Sequence, residues 1–133
     1  MKLDIPENDL KLLKKAIYHL KSGSKIIKVM NKKFENLCKN PAMNVDYVYD
    51  RFVENYKKQS EILIDKKITI DLFKRREYDL VWLRYVKNFD GKQLSEATNI
   101  KIRNLWRKLK SQTVKFIEKY KAKKKEFDIY GKF

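Results

Sequence analysis

The stretch RREYDLVWLRY at 75–85, then DGKQLSEATNI at 90–100 and the basic run KIRNLWRKLKSQTVKFIEKY at 101–120, decides the fold. In the last run Ile102, Leu105, Leu109, Thr113, Phe116 and Tyr120 recur at spacings of three and four, with Trp106 and Ile117 beside them. That is the period of one helical face. Gly91 falls where a preceding helix must end and reverse, a place that favours positive φ. Lys92 to Thr98 reads as a short helix with Leu94 and Ala97 pointing inward. Asn99 reads as the turn residue, because Asn tolerates the left-handed conformation, and Ile100 as the plug between two helices. A short helix, a turn and a long basic helix make the plan of a helix-turn-helix, which lays its second helix in the DNA major groove.

The same wheel sends Asn104, Arg107, Ser111 and Lys115 outward, flanked by Lys101, Arg103 and Lys108. Arg can bond two guanine acceptors at once and Asn the edge of adenine, whereas Lys and Ser mainly serve phosphates. Lys92 and Gln93, at the start of the short helix, complete the set of candidate nucleic-acid-binding residues.

Upstream, the chain reads as helices almost throughout. The first is expected to start at Pro6, with Glu7 and Asp9 in an acidic first turn. Leu10, Leu13, Ile17 and Leu20 form its stripe, and Ser22, Gly23 and Ser24 stop it. A second runs from Lys25 to Cys38 with Ile27, Met30, Phe34 and Leu37 on one side, and ends at Asn40 before Pro41. A third begins after Asn44, with Val45, Val48, Phe52 and Tyr56 periodic, and reaches toward Asp65. Lys67 to Asp71 reads as a connector, because Ile68, Thr69 and Ile70 have β character but are too few for a sheet. A helix from Asp71 to Lys87 then buries Leu80, Leu83 and either Trp82 or Val86. Lys121 to Lys125 reads as a frayed, solvated helix end, and Phe127, Ile129, Tyr130 and Phe133 as an apolar tail. The expectation is an all-α fold. It has an N-terminal helical region (1–70) packed with a C-terminal helix-turn-helix and its long basic last helix (71–126), then a tail (127–133).

Composition narrows the class. The 133 residues hold 33 Lys+Arg against 17 Asp+Glu, a net charge of +16 that repels itself unless a polyanion shares the surface. Three Gly and two Pro are too few for the turns of an all-β fold. With 43% apolar residues the chain can bury a core. No apolar run approaches a membrane span and no signal-peptide core is present, so the expectation is a cytoplasmic protein with no membrane contact. Cys38, the single cysteine, reads as a small core residue, and the single histidine, His19, as an exposed or half-buried helix residue rather than a metal ligand. Asp46, Asp50 and Glu54 lie at four-residue spacing and are expected to pair with Arg51, Lys57 and Lys58. Tyr47, Tyr49, Phe52 and Tyr56 read as packing residues, with base stacking as the alternative. No phosphate-binding glycine loop or nucleophile elbow occurs, so no enzymatic activity, catalytic residue, metal or cofactor is expected.

A resemblance joins these observations. Arg76, Glu77, Leu80, Leu83, Arg84 and Tyr85, then Gly91, Leu94 and Ile100, then a basic helix with Leu105, resemble region 4 of bacterial sigma factors. They are similar also to the C-terminal halves of small phage transcriptional regulators of the ArpU/RinA type. The chain departs from that pattern at Ser95, Thr98 and Lys108, where smaller or more apolar residues are usual. The resemblance implies a DNA-binding transcriptional regulator of phage or mobile-element genes, with double-stranded DNA and RNA polymerase as partners and a homodimer as one assembly. Two competing readings suit a small basic helical chain. One is an anti-CRISPR-like phage inhibitor or adaptor that binds a host nucleoprotein or its RNA. The other is a small terminase-like DNA adaptor.

Overall fold

The computed structural model describes residues 3–130, with side chains through residue 127. Five α-helices and no strand occur among the described residues, so the fold is all-α. Helix α1 spans Glu7–Cys38 and α2 spans Val45–Lys74, and the two form a long antiparallel hairpin. The short α3, Asp79–Val81, runs straight into a π-helical turn at Trp82–Val86. Helix α4 covers Gly91–Thr98 and α5 covers Ile102–Tyr130.

Each long helix passes through a point where the sequence predicts a break. Ser22, Gly23 and Ser24 do not stop α1, because Gly23 serves helix packing there. A Cβ on Gly23 would come within 2.7 Å of Ile62 Cγ2, so the absent side chain lets α1 and α2 approach closely. The connector expected at Lys67 to Asp71 is helical and partly buried, with Ile68 and Thr69 both in the core. Thr69 Oγ1 donates to the Asp65 carbonyl at 2.8 Å, which satisfies a buried hydroxyl inside the helix. α2 begins where predicted, with Asn44 Oδ1 accepting from the Asp46 N–H at 2.8 Å. It ends at Lys74 because Arg76 adopts φ 59°, so the single helix expected from Asp71 to Lys87 is divided. The sequence-based boundary between 70 and 71 therefore falls inside α2.

Two apolar clusters hold the molecule. The larger joins Leu13 and Ile17 of α1, Ile68 and Leu72 of α2, Tyr78 and Val81, and Phe116, Ile117 and Tyr120 of α5. Phe73 stacks on Phe116 with ring centroids 4.8 Å apart, and Tyr78 meets Phe116 edge-on at 5.3 Å. The smaller cluster joins Leu80, Leu94, Leu105 and Leu109, one or two from each of α3, α4 and α5. The wide π turn serves both. Leu83 packs on the smaller cluster while Tyr85 and Val86 reach the larger one.

A buried polar knot ties the three long helices together. Asp65 of α2 is 1% exposed, and its carboxylate accepts from Lys124 Nζ at 2.6 Å and from the Tyr120 hydroxyl, both on α5. His19 Nδ1 of α1 lies 2.6 Å from the other carboxylate oxygen. Burial alone would raise the Asp65 pKa, but the bonds from Lys124, Tyr120 and His19 outweigh it and hold the group below its ordinary value. His19 is thus buried, against the sequence expectation. Lys124 belongs to the core network, and the helix runs on through Lys121 to Lys125 rather than fraying. Of the expected apolar tail, Phe127 packs against the larger cluster. The side chains of Ile129 and Tyr130, and all of Phe133, lie outside the described residues.

Candidate nucleic-acid interface

Helix α4, the turn and α5 form the reversal that the sequence predicts, by partly different means. Asp90 caps α4. Its Oδ1 accepts from the Gln93 N–H at 2.8 Å, and Gln93 Oε1 accepts from the Asp90 N–H at 2.9 Å. The preceding chain reverses at Asn88, φ 59°, rather than at Gly91, which has no positive φ. Gly91 is small for a different reason. A Cβ there would meet Trp106 Cζ2 at 2.9 Å, so the glycine admits the indole of α5 against the start of α4. Arg84 covers the same indole, 5.8 Å from its ring, and donates to the Phe89 carbonyl at 2.9 Å.

Asn99 closes α4 in the left-handed conformation, φ 56°, as expected. Ile100 packs against the Leu80, Leu94, Leu105 and Leu109 cluster, also as expected. Ser95 Oγ donates to the Ile100 carbonyl at 2.7 Å and Thr98 Oγ1 to the Leu94 carbonyl at 2.6 Å. Ser95 and Thr98 thus act as polar fasteners around this turn. Lys108 is exposed and Leu109 takes the buried position. From α5, Gln112 Oε1 accepts from the Leu80 N–H at 3.0 Å and fastens the start of α3. Two inward expectations fail. Ala97 is exposed, and Ile102 is half exposed because it lies in the first turn of α5, ahead of the Leu105 and Leu109 contacts.

The outward register of α5 stands. Lys101, Arg103, Arg107, Lys108, Ser111 and Lys115 are all exposed, and Asn104 is half-buried. Arg107 Nη2 donates to Asn104 Oδ1 at 3.2 Å, which ties the two residue types able to read base edges into one unit. Lys92 is exposed on α4. Gln93 is exposed as well, but its carbonyl oxygen is committed to the cap, so its role in the fold is to start α4. From 91 to 115 the sole acidic residue is Glu96, and α5 carries none before Glu118. Helices α1 and α2 place acids in their first turns, where the helix dipole favours them. The first turn of α5 has no acid and is flanked by Lys101 and Arg103, an arrangement that an anion would stabilise.

Elsewhere, among the described residues, no three of His, Cys, Asp and Glu gather as metal ligands, and no helix is long and apolar enough to cross a membrane. Cys38 is exposed rather than in the core. Tyr47, Tyr49, Phe52 and Tyr56 are exposed as well, against the packing role expected of them. Sequence periodicity identifies their stripe but not what covers it. Comparison of the chain with protein-family models, with curated proteins and with solved structures returns no match.

Proposed function

We propose that this chain binds duplex DNA, with the outward face of α5 in the major groove and α4 braced across it. The observation that carries the reading is the basic face running from Lys101 to Lys115 on the helix that follows the Asn99 turn. No carboxylate interrupts that face. In this reading Arg107 and Asn104 contact base edges, while Lys101, Arg103, Lys108, Ser111 and Lys115 hold phosphates. The resemblance to sigma region 4 and to ArpU/RinA-type regulators adds a role in transcription of phage or mobile-element genes.

The test is selection from random duplexes, followed by titration at two salt concentrations. A recovered motif whose affinity falls steeply with salt is the expected result. Arg107→Ala should weaken the selected site by about 1–3 kcal/mol. Lys115→Ala should weaken all duplexes alike and flatten the salt slope by about one. Duplex binding that ignores salt would sink the proposal.

A further inference from the structure

Above Gly23 in α1 and Ile62 in α2, neither helix of the hairpin has a buried residue. The charge of this arm is sorted between its two helices. From Leu10 to Phe34 α1 carries no acidic residue, whereas Asp46, Asp50, Glu54 and Glu61 all lie on α2. Lys14, Tyr18, Lys21, Lys25, Lys28 and Lys32 follow one another along α1 at alternating spacings of four and three, and all are exposed. That spacing keeps them on one face of the helix. The face points away from α2, because Gly23, which meets Ile62, lies on the opposite side of α1. None of these lysines has an ion pair among the described residues, whereas Lys15, off the row, pairs with Glu61 at 2.8 Å. On α2, by contrast, Arg51 and Lys58 both pair with Glu54. A sequence merely rich in lysine would spread unpaired charge over both helices.

We propose that this row is a second surface for duplex DNA, separate from the α5 face, which holds backbone phosphates without reading sequence. At a rise of about 1.5 Å per residue, Lys14 to Lys32 covers about 27 Å, the length of about eight base pairs. Lysines spread over that length with no acid among them repel one another, and a partner with regularly spaced negative charge relieves the repulsion. Tyr18 is the only ring in the row, so it offers no platform on which successive bases of a single strand could stack. At its foot Lys14 lines a cleft with Arg84, Tyr85, Asn88 and Trp106. The row thus starts beside the turn that leads into α4 and climbs away from it along the arm.

Titration of the full chain with a short duplex of arbitrary sequence, at several salt concentrations, tests this. Lys25→Gln combined with Lys28→Gln should weaken binding about tenfold or more and lower the salt slope by about two. Helicity should stay unchanged, because both side chains are exposed. Lys57→Gln combined with Lys58→Gln removes the same net charge from α2 of the same arm, and should lower the slope by under about 0.5. Equal losses from the two pairs, or no loss from the first, would overturn the proposal. So would a single strand of the same length that binds more tightly than the duplex. Added to Arg107→Ala, the α1 pair should cause the same further loss, as expected of distant sites. Selection that returns no motif would strike the α5 reading and leave the comparison of lysine pairs intact.

Discussion

The base and the arm of the hairpin are built from the same two helices, yet their chemistry differs. In the base, α5 lies against α1 and α2, so Leu13, Ile17, Ile68 and Leu72 are enclosed and a carboxylate can be buried among its donors. Among the described residues no third helix reaches the arm, and side chains of similar spacing and comparable apolar character stand in water. Helical periodicity therefore reports that a face exists. Whether the chain itself covers that face depends on how many helices reach it, which is a tertiary property.

Four measurements would break or sharpen this contrast. Asp65→Ala removes the carboxylate shared by buried His19 and Tyr120 and half-buried Lys124, and should cost about 3–5 kcal/mol in chemical denaturation. A loss under about 1 kcal/mol would mean the knot is not what holds the base. Phe116→Ala, at a fully buried position, should cost about 3–5 kcal/mol. The matching cut Phe52→Ala, at an exposed position in the arm, should cost under about 1 kcal/mol. Equal losses would erase the distinction between base and arm. At the junction of the two, Gly23→Ala should destabilise by about 1–3 kcal/mol, because the crowding against Ile62 outweighs the better helix propensity of alanine. A gain in stability there would show that the helices can separate at no cost. The mildest probe is acid. Asp65 is held below its ordinary pKa, so its contribution is complete above about pH 4 and lost as the pH falls through the folded-state value. The acid limb of the stability profile should flatten in Asp65→Ala.

Much of the C-terminal half was legible in the sequence. The turn at Asn99, the plug at Ile100 and the buried set Leu105, Leu109, Thr113, Phe116 and Tyr120 follow from period and from local conformational preference, which act over a few residues. The failures share a cause. Gly23 and Gly91 read as breaks or turns because glycine is flexible, whereas in the folded chain each makes room for a distant side chain. His19, Asp65, Tyr120 and Lys124 are far apart in sequence and carry no local signature. Their meeting was invisible until α1, α2 and α5 came together. At the candidate site, exposure of the basic face was predictable. The commitment of Gln93 to the Asp90 cap was written in the spacing of those two residues, which the sequence reading did not use.

Helix α5 opens with the basic face and closes, twenty residues on, in the Asp65 knot. A fragment beginning near 71 would keep the turn but strip Phe116, Ile117 and Tyr120 of their neighbours in α1 and α2. It would also leave Lys124 with no acceptor. Such a fragment is not a detachable cassette. A piece that could be grafted elsewhere with its basic face held in place must include the base of the hairpin together with the helix it grips.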